Sequence, residues 1–282
     1  MEDKAAENCA KTPLVSPDVL QTKDFVFSPI RPLDRIGDSG ALFLAKLKTD
    51  RRKRYLVKHA FCDCAANEFV YTKLAQAMDV RMPEAKLFQI SEGEKRNYFK
   101  TEYVLATKYL DLIDENPSYR IIREQALNWQ DYFRFRAMYD MFLEGDSFEV
   151  LLASDRYIYR VDTTDAFLYS DHILARAGIN IVIGNHNVKD QIKNEMLFRS
   201  YNSCWEYMDF EETLKTLVTR YGDECIKPFL DSFKRIQDVP KDYIDSFLNT
   251  LCYFYPDFIG DYFKLFITAL QRESYKYLRT KE

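Results

Sequence analysis

The apolar run Arg54-Tyr-Leu-Val-Lys58 ends in a lysine, and Glu68 follows ten residues later in a segment with helical character. An ammonium at a strand end can lie against phosphate oxygens, since lysine is a compact point charge on a flexible stem. A carboxylate on a neighbouring helix can hold it there. Upstream, Gly37-Asp38-Ser39-Gly40 places two glycines three positions apart, a spacing that lets backbone N–H groups approach an anion. Far downstream, Val161-Asp162 ends another apolar run with a carboxylate, the ligand type that suits a hard divalent cation. Loop, lysine, helix acid and late acid follow one another in the order of a phosphate-handling site.

These residues need elements to position them. Phe25 to Phe27 reads as a short strand, and Ala41 to Leu47 with Arg54 to His59 as an antiparallel hairpin. Its turn, Arg51-Arg52-Lys53-Arg54, reads as a solvated basic loop. Asp63 can cap a helix whose apolar stripe is Ala66, Val70, Leu74, Ala77 and Met78, ended by Pro83. Glu68 lies off the centre of that stripe, where it can face the end of the Lys58 strand. A pair in such a cleft, if exposed, is worth only about 0–1 kcal/mol. Lys86 to Ile90 and Tyr98 to Val104 bracket a second turn, and Tyr103 to Lys108 reads as a hinge. Beyond it, Ile121 to Glu144 has helical period, and Val150 to Leu152 and Tyr157 to Val161 form a strand pair about Ser154-Asp155-Arg156. The rest reads as helical, with Asp209 and Glu212 as an acidic cap, a helix started by Pro240, and a last helix over Phe258 to Tyr277. The expected organisation is α+β: a flexible arm over 1–22, a sheet with one helix over 23–106, and a mostly helical part over 107–282.

Composition narrows the function classes. The 282 residues include 20 Tyr and 21 Phe but only 8 Gly and 9 Pro, which favours long helices with bulky cores. A net charge of -4 argues against a nucleic-acid partner. No apolar stretch nears the ~18 residues that span a bilayer, and the charged N-terminus is unlike a signal peptide, so a cytoplasmic location without membrane contact is expected. The six cysteines are scattered and read as reduced thiols; Cys62-Asp-Cys64 lacks a second pair for zinc. His172 and His186 have no partner at ligand or triad spacing, and no Gly-x-Ser-x-Gly elbow is present.

The chain resembles the HipA-like kinase family, a bacterial branch of the protein-kinase-like fold. The resemblance rests on Tyr55-Leu-Val-Lys58, Asn67-Glu68, Lys73-Leu-Ala75, Val80-Arg-Met-Pro83, Tyr139-Asp140 and Val161-Asp-Thr-Thr-Asp-Ala-Phe167, with a fainter match at Val239-Pro-Lys-Asp-Tyr243. It implies a bilobal protein-kinase-like fold, a small β-rich N-lobe and a larger helical C-lobe, with ATP and Mg2+ as cofactors. The implied nucleotide-binding set is Gly37, Asp38, Ser39, Gly40, Lys58 and Glu68, with Glu102 and Val104 near the hinge. Asp162 and Glu149 are the implied metal ligands, and Asp146 with Lys58 the catalytic pair. Where the family has Asp-Arg-His-x-x-Asn, this chain reads Asp146-Ser-Phe-Glu149-Val-Leu151; an ungapped alignment puts Gly145 at the aspartate position. A second stretch, Ile183-Gly-Asn-His-Asn-Val-Lys-Asp190 to Asn194, is a rival catalytic loop. The implied activity is ATP-dependent phosphorylation of a protein serine or threonine, on a substrate or on the chain itself, with a regulatory protein partner of the kind some relatives have. A pseudokinase binding nucleotide or protein, and a kinase of a small hydroxylated metabolite, are the other two readings.

Overall fold

The structure, a computed structural model, describes residues 16–30, 42–58, 62–91, 103–144, 147–164, 166–168, 210–255 and 257–279. Six strands form one sheet in the order β1-β5-β6-β4-β3-β2: β1 Val19–Gln21, β2 Phe25–Pro29, β3 Leu42–Leu47, β4 Arg54–Lys58, β5 Ala85–Gln89 and β6 Tyr103–Lys108. Period-2 alternation sorts their side chains. Phe43, Ala45, Val57, Phe88, Val104 and Ala106 fill one face with Phe25, and the Phe25 and Phe88 rings meet edge to face at 4.7 Å. Leu87 and Leu105 point the other way, into the larger core that holds α1, Cys62–Ala77.

Helix α1 departs from the expected one-sided stripe. Every residue from Ala65 to Ala75 is buried. The sheet lies on one side of it and the C-terminal helices on the other, so its polar residues need partners from several elements.

The hairpin and the strand–helix order follow the sequence expectation, and three other readings do not. Tyr103–Lys108 is no hinge but a central strand, paired to β4 and β5 along its length, because Val104, Leu105 and Ala106 are apolar on both faces. The chain instead leaves the sheet at 109–111. The arm expected over 1–22 ends in ordered structure: β1 runs parallel to β5, with Val19 opposite Leu87, and Asp18 receives Lys73 of α1 at 2.6 Å and Lys86 at 3.4 Å. Asp18 thereby neutralises a lysine that α1 buries. The helix expected over Ile121 to Glu144 is broken into α2, Tyr119–Gln125, and α3, Asp131–Met141. Asn128 causes the break. Its amide donates to Asp131 Oδ2 at 2.7 Å and to the Ile158 carbonyl at 3.1 Å, and its carbonyl accepts from Ile158 N at 2.8 Å, which ties the turn to a strand.

That strand is β9, Ile158–Val161. With β7, Leu112–Asp114, and β8, Glu149–Ala153, it makes a three-stranded antiparallel sheet. Four helices close the chain: α4 Phe210–Tyr221, α5 Ile226–Gln237, α6 Lys241–Phe254 and α7 Asp257–Arg279. Their buried Phe229, Phe233, Phe247, Leu251, Phe263 and Phe266 belong to the core that holds α1. Among the described residues no helix is long and apolar enough to cross a membrane.

The Asp18 anchor gives a direct test. Asp18→Asn leaves the Lys73 ammonium, itself mostly buried, without its charged partner and should lower stability by about 1.5–3 kcal/mol. The urea midpoint should fall with an unchanged slope; an unaltered midpoint would mean the arm contributes nothing to holding α1.

Candidate functional site

Lys58 is the last residue of β4 and pairs with Leu42 on one side and Leu105 on the other, so its backbone is fixed from both flanks. Its ammonium donates to Glu68 Oε1 at 2.6 Å and to Asp162 Oδ1 at 3.0 Å. Glu68 comes from α1 and Asp162 from the end of β9, so three elements meet at one nitrogen. The lysine and glutamate side chains are 13% and 5% exposed, whereas Asp162 is 38% exposed and opens the site to solvent. Burial alone would pull the Lys58 ammonium down; the Glu68 and Asp162 carboxylates outweigh it and hold the group above its ordinary value. The pair is therefore not the cleft-exposed one that the sequence suggested.

The backbone conformation of Asp162 orients its carboxylate toward Lys58. Its φ is 56°, a left-handed conformation that aspartate tolerates better than most residues and that turns the chain off the strand end. Leu143 at φ 53° and Phe167 at φ 64° share that conformation on either side of β8 and β9. Backbone strain of this kind costs about 1–3 kcal/mol at each residue and persists only where the surroundings enforce it. Here they do. Phe167 N–H donates to the Phe142 carbonyl at 2.6 Å, and the Tyr262 hydroxyl donates to the Phe167 carbonyl. The Phe167 ring packs against Phe142 at 5.1 Å, Phe266 at 5.2 Å and Phe263 at 5.5 Å, and Tyr71 of α1 meets Phe142 at 4.8 Å. Asn67, beside Glu68, donates to the Thr164 carbonyl at 2.6 Å. Helix α1 is thus tied to the segment after Asp162 by one buried hydrogen bond and one aromatic stack.

A second buried group lies two residues before Asp162. The Arg160 guanidinium, fully buried, pairs with Glu144 and donates to the carbonyls of Val161, Glu149 at 3.0 Å and Ser147 at 3.2 Å. It holds residues on both sides of Gly145-Asp146. Burial pushes the Glu144 carboxyl up, and Arg160 and the Tyr71 hydroxyl oppose that rise. The Tyr71 hydroxyl is raised in turn, first by burial and then by Glu144. Asp140, at the end of α3, is pushed up to about 6 by burial against the opposing pull of Arg136 and of the Thr213 hydroxyl. Its Oδ2 is buried with no hydrogen-bond partner among the described residues.

The expected site residues divide three ways. Lys58, Glu68 and Asp162 are brought together. Glu149 lies across the ladder from Val161, one residue from Asp162, yet its exposed carboxylate accepts from Ser147 Oγ at 3.0 Å and does not join the Lys58 group. Val104 is buried in the sheet core and has only its backbone to offer a ligand. Gly37, Asp38, Ser39, Gly40, Glu102, Asp146 and the rival stretch 183–194 lie outside the described residues, as do Asp209 and the Cys62 and Cys64 side chains. Among the described residues no group of three or more His, Cys, Asp or Glu side chains is arranged to hold a metal. Sequence reasoning missed Arg160 and the Asn67 bond. For Arg160 the signal was present: a charged residue inside the otherwise uncharged strand expected over Tyr157 to Val161.

The chain is similar to the crystal structure of a Helicobacter pylori proinflammatory kinase, CtkA, with a TM-score of 0.50 over 92% of this chain and 95% of that one. This chain has a bilobal kinase-like fold. Sequence identity to CtkA is 13%, so the likeness establishes the fold alone. No family model and no curated relative matches the sequence.

Two measurements test the site's electrostatics. Lys58→Met strands a buried Glu68 carboxylate and should cost about 3–5 kcal/mol; adding Glu68→Gln should recover most of the loss. Equal stability of the wild type and Lys58→Met would show that the pair is solvated. For Asp140 the sign follows from its raised folded value. The folded state binds more protons than the unfolded one between the ordinary value of 3.8 and about 6, so stability falls as pH rises through that window. From pH 4 to pH 7 the wild type should lose about 2–3 kcal/mol relative to Asp140→Asn. Parallel denaturation curves at both pH values would contradict it.

Proposed function

We propose that the chain is an ATP- and Mg2+-dependent phosphotransferase acting on a serine or threonine hydroxyl of a protein, its own chain included. The observation that carries this reading is the Lys58 ammonium held between Glu68 and Asp162. An ammonium has three donors, and two are used here, which leaves one for a phosphate oxygen. Glu68, buried, keeps the ammonium charged and aimed. Asp162, partly exposed, is the residue that would hold the metal; a magnesium site of this type uses one or two protein carboxylates with the phosphates and water completing the shell. Bound Mg2+ would neutralise charge developing on the transferred phosphoryl group. Lys58 would then bear on the phosphates instead of on Asp162. Asp146 is the proposed base that orients the acceptor hydroxyl, with Arg160 bracing the residues on either side of it.

A second reading, nucleotide binding without transfer, has one observation in its favour. Leu151 stands where the resemblance leads one to expect a metal-binding asparagine, and it lies inside strand β8 opposite Tyr159.

One pair of experiments decides between them. ATP with Mg2+ at a hundredfold over its dissociation constant should stabilise the wild type by about 2.7 kcal/mol, and Lys58→Met should reduce that gain. Labelled phosphate should move from ATP to protein, with Asp162→Asn abolishing transfer and Asp146→Asn reducing it while leaving ATP binding intact. A flat melting response in folded protein overturns both readings; ATP stabilisation without transfer to itself or to any offered protein favours the second.

A further inference from the structure

The β3–β4 hairpin carries Lys46, Lys48, Arg51, Arg52, Lys53 and Arg54, six cations within nine residues of a chain whose net charge is -4. A merely solvated turn would spread such charges apart. Instead, Lys46 stands directly opposite Arg54 in the β3–β4 ladder, and Val26 of β2 stands opposite Lys46 on its other side, a row across three strands. Like charges directly opposed on neighbouring strands are destabilising. Lys48 follows directly after the end of β3. With Arg51 and Arg52 these residues line a groove of about 640 Å³ at the hairpin end of the sheet, and Lys46 and Arg54 lie on the same face as Lys58.

The groove is only partly neutralised. Arg54 is satisfied, at 2.6 Å from Asp111 and with its guanidinium over the Tyr109 ring. Arg52 reaches Asp50 at 3.4 Å but is 94% exposed, so that contact holds it weakly. Lys48 donates to the Lys23 carbonyl, and Lys46 and Arg51 form no ion pair among the described residues. A sheet face that breaks the cross-strand charge rule and neutralises only one member of the opposed pair, Arg54, is a place to look for an external counterion.

We propose that this groove binds an extended acidic segment of a partner protein, one with an apolar residue set among its carboxylates. Charge complementarity supplies the first half of that description. Val26, 51% exposed at the groove's edge, supplies the second. Single-stranded nucleic acid is the rival polyanion, and proteins that bind it interleave aromatic platforms with cations. Among the described residues no aromatic side chain lines this groove, so the observations favour a peptide. The site does not depend on the phosphotransferase reading, and a protein with no response to ATP passes or fails the same test.

The test is fluorescence anisotropy with the full chain and a labelled twelve-residue peptide of Glu and Asp interrupted by a central Leu, beside a labelled oligothymidylate of equal length. The peptide should bind more tightly than the oligonucleotide. Binding should weaken at least about tenfold in Lys46→Glu/Arg52→Glu, and replacing the central Leu by Ser should weaken it further. Thermal melting of the double variant keeps a folding defect separate from a binding one, and the milder Lys46→Gln/Arg52→Gln should show a smaller loss in the same direction. Preferential binding of the oligonucleotide overturns the proposal. So does peptide affinity that is undetectable or indifferent to these substitutions, in which case the cations only guard the sheet against edge association.

Discussion

One ammonium placed between two carboxylates organises this protein. Lys58 joins the six-stranded sheet, helix α1 and the end of β9, elements whose sequence positions are separated by up to 104 residues. A buried charge without a partner is among the costlier defects a fold can contain. Once β4 delivers Lys58 to the interior side of the sheet, Glu68 must face it, which sets the rotation of α1. With α1 so rotated, Asn67 faces the backbone after Asp162, Tyr71 faces Glu144 and Phe142, and Lys73 faces Asp18. Each of those partners belongs to a different part of the chain.

This dependence explains why α1 is buried on all sides yet rich in polar residues. An amphipathic helix would need only one covering layer. Here the sheet covers one side and the C-terminal helices the other, and the polar side chains fix the register that apolar packing alone would leave loose. The left-handed backbones of Asp162 and Phe167 fit the same scheme, because strain there is held by the Tyr262 and Phe142 contacts and by the aromatic stack against α7.

The parts of this arrangement that were legible in the sequence are the local ones. Strand-then-lysine, the ten-residue step to Glu68 and a strand ending at Asp162 are patterns of neighbouring residues, and the geometry joins them as that order implied. What sequence reasoning misplaced depended on distant partners. Tyr103–Lys108 looks like a connection until β4 and β5 are seen on either side of it, and residues 126–130 look helical until Ile158 is seen to take both ends of the Asn128 amide. Val19–Gln21 is polar-flanked and short, and only pairing with β5 makes it a strand. Arg160 was legible as an anomaly, a charge within a strand, but its role depends on Glu144 and on carbonyls that are strand neighbours only after folding. Glu149 stands across the ladder from Val161, next to Asp162, yet its carboxylate accepts from Ser147 Oγ, a contact that only the fold reveals.

The most direct test of the central claim is a crystal structure of the full chain with Mg2+ and a non-hydrolysable ATP analogue. Lys58 Nζ should remain bonded to Glu68, leave Asp162 and lie within hydrogen-bond distance of a phosphate oxygen, with the Asp162 carboxylate on the metal. A structure in which Lys58 stays closed on both carboxylates while the analogue is absent or bound elsewhere would contradict the account.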